Sequence, residues 1–140
     1  MGVIAAEYTT RWKVRVYELD SNGHVNNAVY LNYVEEIASE HARLMGFGAD
    51  WTKAAGGTWV VRSHEMTFHQ PAGYGDEMEL TTRVGEMKGA SGLRETIIRR
   101  ASDGTPIAEV RTRWVWIRLS DGRPTRVPAD LREAFKTASG

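Results

Sequence analysis

One stretch of this chain keeps helical periodicity for about five turns, and nearly all the apolar residues around it alternate in twos. From Ala28 to Met45 the apolar positions Leu31, Val34, Ile37, Ala38, Ala42 and Met45 recur at three- and four-residue intervals. Glu35, Ser39, Glu40 and Arg43 line the opposite side. Asn26 or Asn27 supplies the N-cap, and Gly46 suits the left-handed position after the last turn. At 1.5 Å per residue the helix runs roughly 27 Å. A lone helix of that length must bury its apolar stripe on a sheet.

The rest of the chain supplies the strands. Tyr8 to Tyr17 reads as one, with Arg11, Lys13 and Arg15 on one face and Trp12, Val14 and Val16 on the other. After a glycine-bearing connection, Gly46 to Gly57, a long strand from Thr58 to Gln70 stops at Pro71-Ala72-Gly73-Tyr74-Gly75-Asp76. Met78, Leu80, Thr82 and Val84 alternate with Glu77, Glu79, Thr81 and Arg83, the pattern of a sheet with one wet face. Leu93 to Arg100 and Ile107 to Leu119 follow, joined by the hairpin signal Ser102-Asp103-Gly104-Thr105. Pro128 opens a short closing helix, Ala129 to Lys136. Short turns mean antiparallel neighbours. The expected fold class is α+β: a curved antiparallel sheet of about five strands wrapped around one long central helix, as a single domain over residues 1–140. Such a sheet covers one side of the helix, and edge strands of this kind pair across a two-fold, which predicts a homodimer or homotetramer.

Composition narrows the function. There are 18 Lys+Arg against 18 Asp+Glu, so no global field draws the chain to nucleic acid or an anionic membrane. Trp59, Trp114 and Trp116 beside Arg111, Arg113 and Arg118 fit sheet packing better than base stacking. The absence of cysteine excludes disulfides, thiol nucleophiles and cysteine-rich zinc sites. His24, His41, His64 and His69 show no ligand spacing, so no metal is expected. No run approaches a spanning helix and no signal peptide is legible at the N-terminus, so a cytoplasmic location is expected.

The chemistry concentrates in Asp20-Ser21-Asn22-Gly23-His24-Val25-Asn26-Asn27, between the first strand and the long helix. A carboxylate beside a helix N-terminus can activate water or attack a carbonyl while main-chain N–H groups hold the developing oxyanion. Asp, Asn and Gly are also the ordinary residues of a turn and cap, and that bland reading competes for every position here. Glu35 and Glu36 are the rival acids, with a solvated helix face as their default. Asn26 reads as structural, and Tyr30 and Tyr33 as packing residues.

Together the order of elements and this loop resemble the hotdog-fold acyl thioesterases, in particular the 4-hydroxybenzoyl-CoA thioesterase-like family with its D-x-x-G-H-V-N-N…Y signature. The run is also similar to the D-x-N-x-H-V-N-N motif of plant acyl-carrier-protein thioesterases through Asp20, Asn22 and His24. The Pro71 to Asp76 turn looks like the family's P-x-x-x-G-D turn, and Glu18 stands where many members carry a further Asp. The resemblance implies Asp20 as the catalytic carboxylate, as general base or as nucleophile through a mixed anhydride. It implies the Asn27 N–H as the donor that polarises the thioester carbonyl, with Asn22 and His24 assisting or orienting. The implied activity is hydrolysis of acyl-CoA, or of the acyl-carrier-protein thioester, to free acid and thiol without a cofactor. The acyl tunnel is expected between the long helix and a partner subunit. Arg62, Arg83, Arg94, Arg99 and Arg113 are the candidates to meet the phosphates of CoA. A dehydratase or hydratase on the same fold and a non-catalytic acyl-CoA binder are the alternatives.

Overall fold

The computed structural model describes residues 3–136. Six strands form one sheet: β1 (Val3–Ile4), β2 (Glu7–Lys13), β3 (Gly57–Phe68), β4 (Glu77–Lys88), β5 (Ser91–Arg100) and β6 (Pro106–Arg118). Their order is β1-β2-β4-β5-β6-β3, every neighbour antiparallel. Three helices accompany them: α1 (Asn27–Leu44), α2 (Ala49–Ala55) and α3 (Ala129–Ala134). The expected five strands are the five long ones, and the two-residue β1 extends the sheet beyond β2.

α1 is the central helix that the apolar periodicity demands. Tyr30, Tyr33 and Ile37 pack with Met78 and Leu80 of β4, Ile98 of β5, and Ile107 and Ala108 of β6. A second cluster joins Val84 and Trp116 to Val127, Leu131 and Phe135, with Met45, Phe47, Trp51 and Trp59 packed against it. Short α3 therefore closes the core instead of trailing from it. On the adjacent strands β4, β5 and β6 a polar set is also buried: Thr82, Arg94, Thr96 and Thr112, with His41 from α1.

Two local departures from the sequence pattern have clear causes. β2 ends at Lys13, and residues 16–18 form a single 3-10 turn instead of continuing the alternation. Glu18 drives this: its buried carboxylate accepts from the Arg15 N–H at 2.8 Å and from the Tyr33 hydroxyl at 2.7 Å. Val16 and Tyr17 are consequently 66% and 80% exposed, although alternation alone places Val16 on the apolar face. The connection from Gly46 to Gly57 contains α2, seven residues long, which is too short for periodicity to register. Gly56 ends it at φ 71°.

Candidate active site

The loop before α1 is built around Asp20. Its Oδ1 accepts from the main-chain N–H groups of Asn22 (2.9 Å) and His24 (3.1 Å). Its own N–H donates to the His24 carbonyl at 2.7 Å, and the Gly23 N–H to the Asp20 carbonyl at 3.1 Å. This closure needs a left-handed residue, and Gly23 provides it at φ 76°. Asp20 is half-buried, and no donor among the described residues reaches its Oδ2. One carboxylate oxygen is thus fixed by the fold while the other is unclaimed.

Among the described residues, neither the Asn22 nor the His24 side chain hydrogen-bonds to Asp20. Both side chains are exposed, and it is their main-chain N–H groups that hold the carboxylate. The loop is in turn seated on distant chain. Leu19 bridges Val25, the Val25 N–H donates to the Ala72 carbonyl (2.8 Å), and the Asn26 N–H to the Glu18 carbonyl (2.9 Å). His24 forms a further bridge with Gly73. Asp76 caps that second turn by accepting from the Gly73 N–H at 2.9 Å, and Arg100 lies 3.5 Å from Asp76. A Cβ at Gly73 would stand 3.2 Å from the Gly23 carbonyl, so the two turns touch main chain to main chain. The two motifs that stand apart in the sequence form one platform.

α1 begins on that platform. Asn26 is its N-cap, with its side-chain oxygen accepting from the Ala28 N–H at 2.9 Å, and its carbonyl accepts from Val29 at 2.9 Å. The Asn27 N–H has no acceptor among the described residues, and it lies at the positive end of the 18-residue α1. A free carboxylate oxygen and a free N–H at a helix start are the two groups that hydrolysis at an acyl carbon requires.

The remaining expected residues sort clearly. Glu35 and Glu36 are exposed, and Glu35 stands 3.9 Å from His64 Nε2. Tyr30 and Tyr33 are buried; burial pushes both phenols up, and for Tyr33 the hydrogen bond to Glu18 adds to it. Glu18 is the residue that sequence reasoning undervalued. Its only signal was an acid two positions before Asp20, and its burial comes from Tyr33, fifteen residues on.

Arg94 does not belong with the surface arginines. It is 9% exposed, and burial lowers its guanidinium to about 10. It lines a cavity of about 540 Å³ with Trp59, Trp114, Phe47, Leu131 and Phe135. α1 contributes to this cavity from Glu36 to Arg43, so it sits toward the C-terminal half of the helix, and none of Asp20, Asn22, His24 or Asn27 lines it. Among the described residues no group of three His, Cys, Asp or Glu is placed to hold a metal ion, and no helix is long and apolar enough to cross a membrane.

Several proteins similar to this chain are named as thioesterases. The chain is 32% identical over 123 residues to the chloroplastic acyl-acyl carrier protein thioesterase ATL3 of Arabidopsis thaliana, a match covering 88% of this chain but only 64% of that protein. It is 30% identical over 131 residues to the long-chain acyl-CoA thioesterase FadM of Escherichia coli (strain K12), covering 91% of this chain and 96% of the other. A crystal structure of a thioesterase complexed with coenzyme A and Zn from Thermus thermophilus superposes with a TM-score of 0.77 at 29% identity, over 91% of this chain and 90% of that one. The model of one family spans residues 14–135, from the end of the first long strand through the acid loop to α3. With fold, loop and relatives in agreement, this chain belongs to the thioesterase-like superfamily.

Proposed function

We propose that this protein hydrolyses an acyl-CoA thioester to a free acid and CoA, with Asp20 as the acting carboxylate and the Asn27 N–H as the oxyanion donor. The observation that carries the reading is the division of labour on Asp20: Oδ1 is held by two main-chain N–H groups, and Oδ2 is unclaimed, in the loop that leads into α1. Asp20 takes a proton from water, the water oxygen bonds to the acyl carbon, and the carbonyl electrons move to an oxygen held by the helix N-terminus. Collapse of that intermediate breaks the carbon–sulfur bond, and the departing thiolate receives the proton. The named activity of FadM and the coenzyme A bound by the thermophilic thioesterase support an acyl-CoA substrate.

A second copy of the chain completes the pocket in this reading. Val16, Tyr17, Phe68 and Tyr74 are large apolar side chains, 47–80% exposed, on the elements that flank the acid loop. Large apolar side chains left in water are the kind of surface that a partner covers. β3, twelve residues long, forms the far edge of the sheet with Val60 39% exposed, an edge that a two-fold partner can pair with. Of the five arginines expected to meet the phosphates of CoA, Arg62, Arg99 and Arg113 are exposed and have no acid within ion-pair distance among the described residues. Arg83 is committed to Glu7 at 2.8 Å.

The test is Asp20→Asn assayed on a panel of acyl-CoAs of varied length with free-thiol detection. Turnover is expected to fall ~10²–10⁴-fold with ligand binding retained. Normal activity in that variant transfers the role to Glu36. Hydration or dehydration of the acyl chain without thiol release replaces hydrolysis as the reaction. Single-turnover hydrolysis in ¹⁸O-water separates the two roles of Asp20, because label in its carboxylate requires the anhydride.

A further inference from the structure

The cavity against the C-terminal half of α1 holds a buried cation with neutral partners only and a buried indole N–H. Arg94, on β5, donates from Nη1 to Thr82 Oγ1 at 3.0 Å and pairs with His41 Nδ1 at 2.9 Å. A guanidinium carries five N–H donors, and no carboxylate among the described residues lies within 4.0 Å of this one. A buried cation without a counter-ion is costly. Trp114 repeats the pattern: its indole N–H is buried with no acceptor among the described residues. The strand register places the two together. Arg94 pairs with Thr112, and Gly92 with Trp114, so both side chains stand on one face of adjacent strands. Both line the cavity, whose remaining walls are largely apolar: Trp59, Phe47, Leu131 and Phe135.

The acids on the same wall are otherwise engaged or exposed. Glu40 accepts from the Tyr8 hydroxyl, and Glu36 is exposed. The acid loop contributes nothing to this space.

We propose that this cavity is a second ligand site, built for an amphipathic monocarboxylate with an alkyl or aryl body and independent of the Asp20 assignment. The carboxylate oxygens accept from the spare guanidinium N–H groups of Arg94, a fork-to-fork match, with the Trp114 N–H as a neighbouring donor. The body of the ligand lies on the aromatic wall. The volume, about 540 Å³, is in the range of small-molecule pockets.

Calorimetric titration with octanoate and with octanamide tests it, because the two share a body and differ in charge. Octanoate is expected to bind about 10-fold or more tightly than octanamide, the range of a charge-assisted hydrogen bond. Arg94→Met is expected to abolish that preference while octanamide binding is kept. Asp20→Asn is expected to bind octanoate as the unsubstituted protein does, which separates this site from the acid loop. Should Arg94→Met fail to fold, Trp114→Phe keeps a ring and removes the N–H, and octanoate is expected to weaken by about 5-fold. Equal affinity for the two ligands overturns the proposal. So does octanoate affinity that survives both Arg94→Met and Trp114→Phe, or that disappears in Asp20→Asn.

Discussion

Glu18 and Asp20 are two residues apart, and their surroundings give them opposite roles. Glu18 is 6% exposed and saturated by Arg15 and Tyr33, so its carboxylate has no oxygen to offer. Asp20 is half-buried with one oxygen free. Tyr33→Phe removes a hydrogen bond to a buried carboxylate and is expected to cost about 1.5–3 kcal/mol, read as a lower midpoint in urea unfolding. Its ring stays in the core, so a larger loss means that the Arg15 bonds alone do not satisfy the buried Glu18, and Glu18→Gln in the same background then recovers stability. Alternation placed Val16 on the apolar face of a strand, and a single buried acid moved it into solvent. That outcome was not legible because the partner, Tyr33, is brought near only by the fold.

At the level of elements, α1 and the strands were readable because periodicity reports burial directly. The helix spans Asn27–Leu44 where the pattern predicts Ala28 to Met45, and its cap is Asn26, one of the two residues expected there. Asn26→Ala is expected to cost about 1 kcal/mol. It also loosens the turn that presents the Asn27 N–H, so turnover is expected to fall more than KM rises, and steady-state kinetics separates the two. α2 was not readable. Its reason for existing is tertiary: Trp51 packs on Phe47 at 4.7 Å and on Trp116 at 5.7 Å between ring centroids. β3 follows at once, beginning at Gly57, where a Cβ would stand 2.6 Å from the Trp116 ring. Gly57→Ala forces that ring or the strand to move and is expected to destabilise by about 1–3 kcal/mol, measurable as a lower Tm.

For the whole molecule, buried tyrosines dictate how stability responds to alkali. Burial raises the phenols of both Tyr30 and Tyr33, so in the folded protein they keep their protons to higher pH than in the unfolded chain. Between the ordinary tyrosine range near 10 and the raised native values, the unfolded state binds fewer protons, and unfolding becomes easier as pH rises. Below that range this contribution is fully present. Denaturant midpoints are therefore expected to stay flat in this respect up to about pH 9 and to fall above 10, with Tyr33→Phe falling less steeply. The proposed pairing of protomers is tested at this scale too. Light scattering is expected to give a multiple of the chain mass, and Val60→Lys on the β3 edge is expected to lower it.

Local regularities settled much of this protein without coordinates. Periods of 3.6 and 2 marked the central helix and its sheet, turn residues marked antiparallel order, and eight consecutive residues marked the acid loop. Those signals are local, so a linear string carries them. Tertiary structure alone decided that the Asp20 loop rests on the turn around Gly73, that Glu18 is a buried anchor, and that Arg94 faces a cavity instead of solvent. Each depends on groups far apart in the chain meeting with water excluded, and desolvation is a property of the assembled fold that no stretch of sequence possesses.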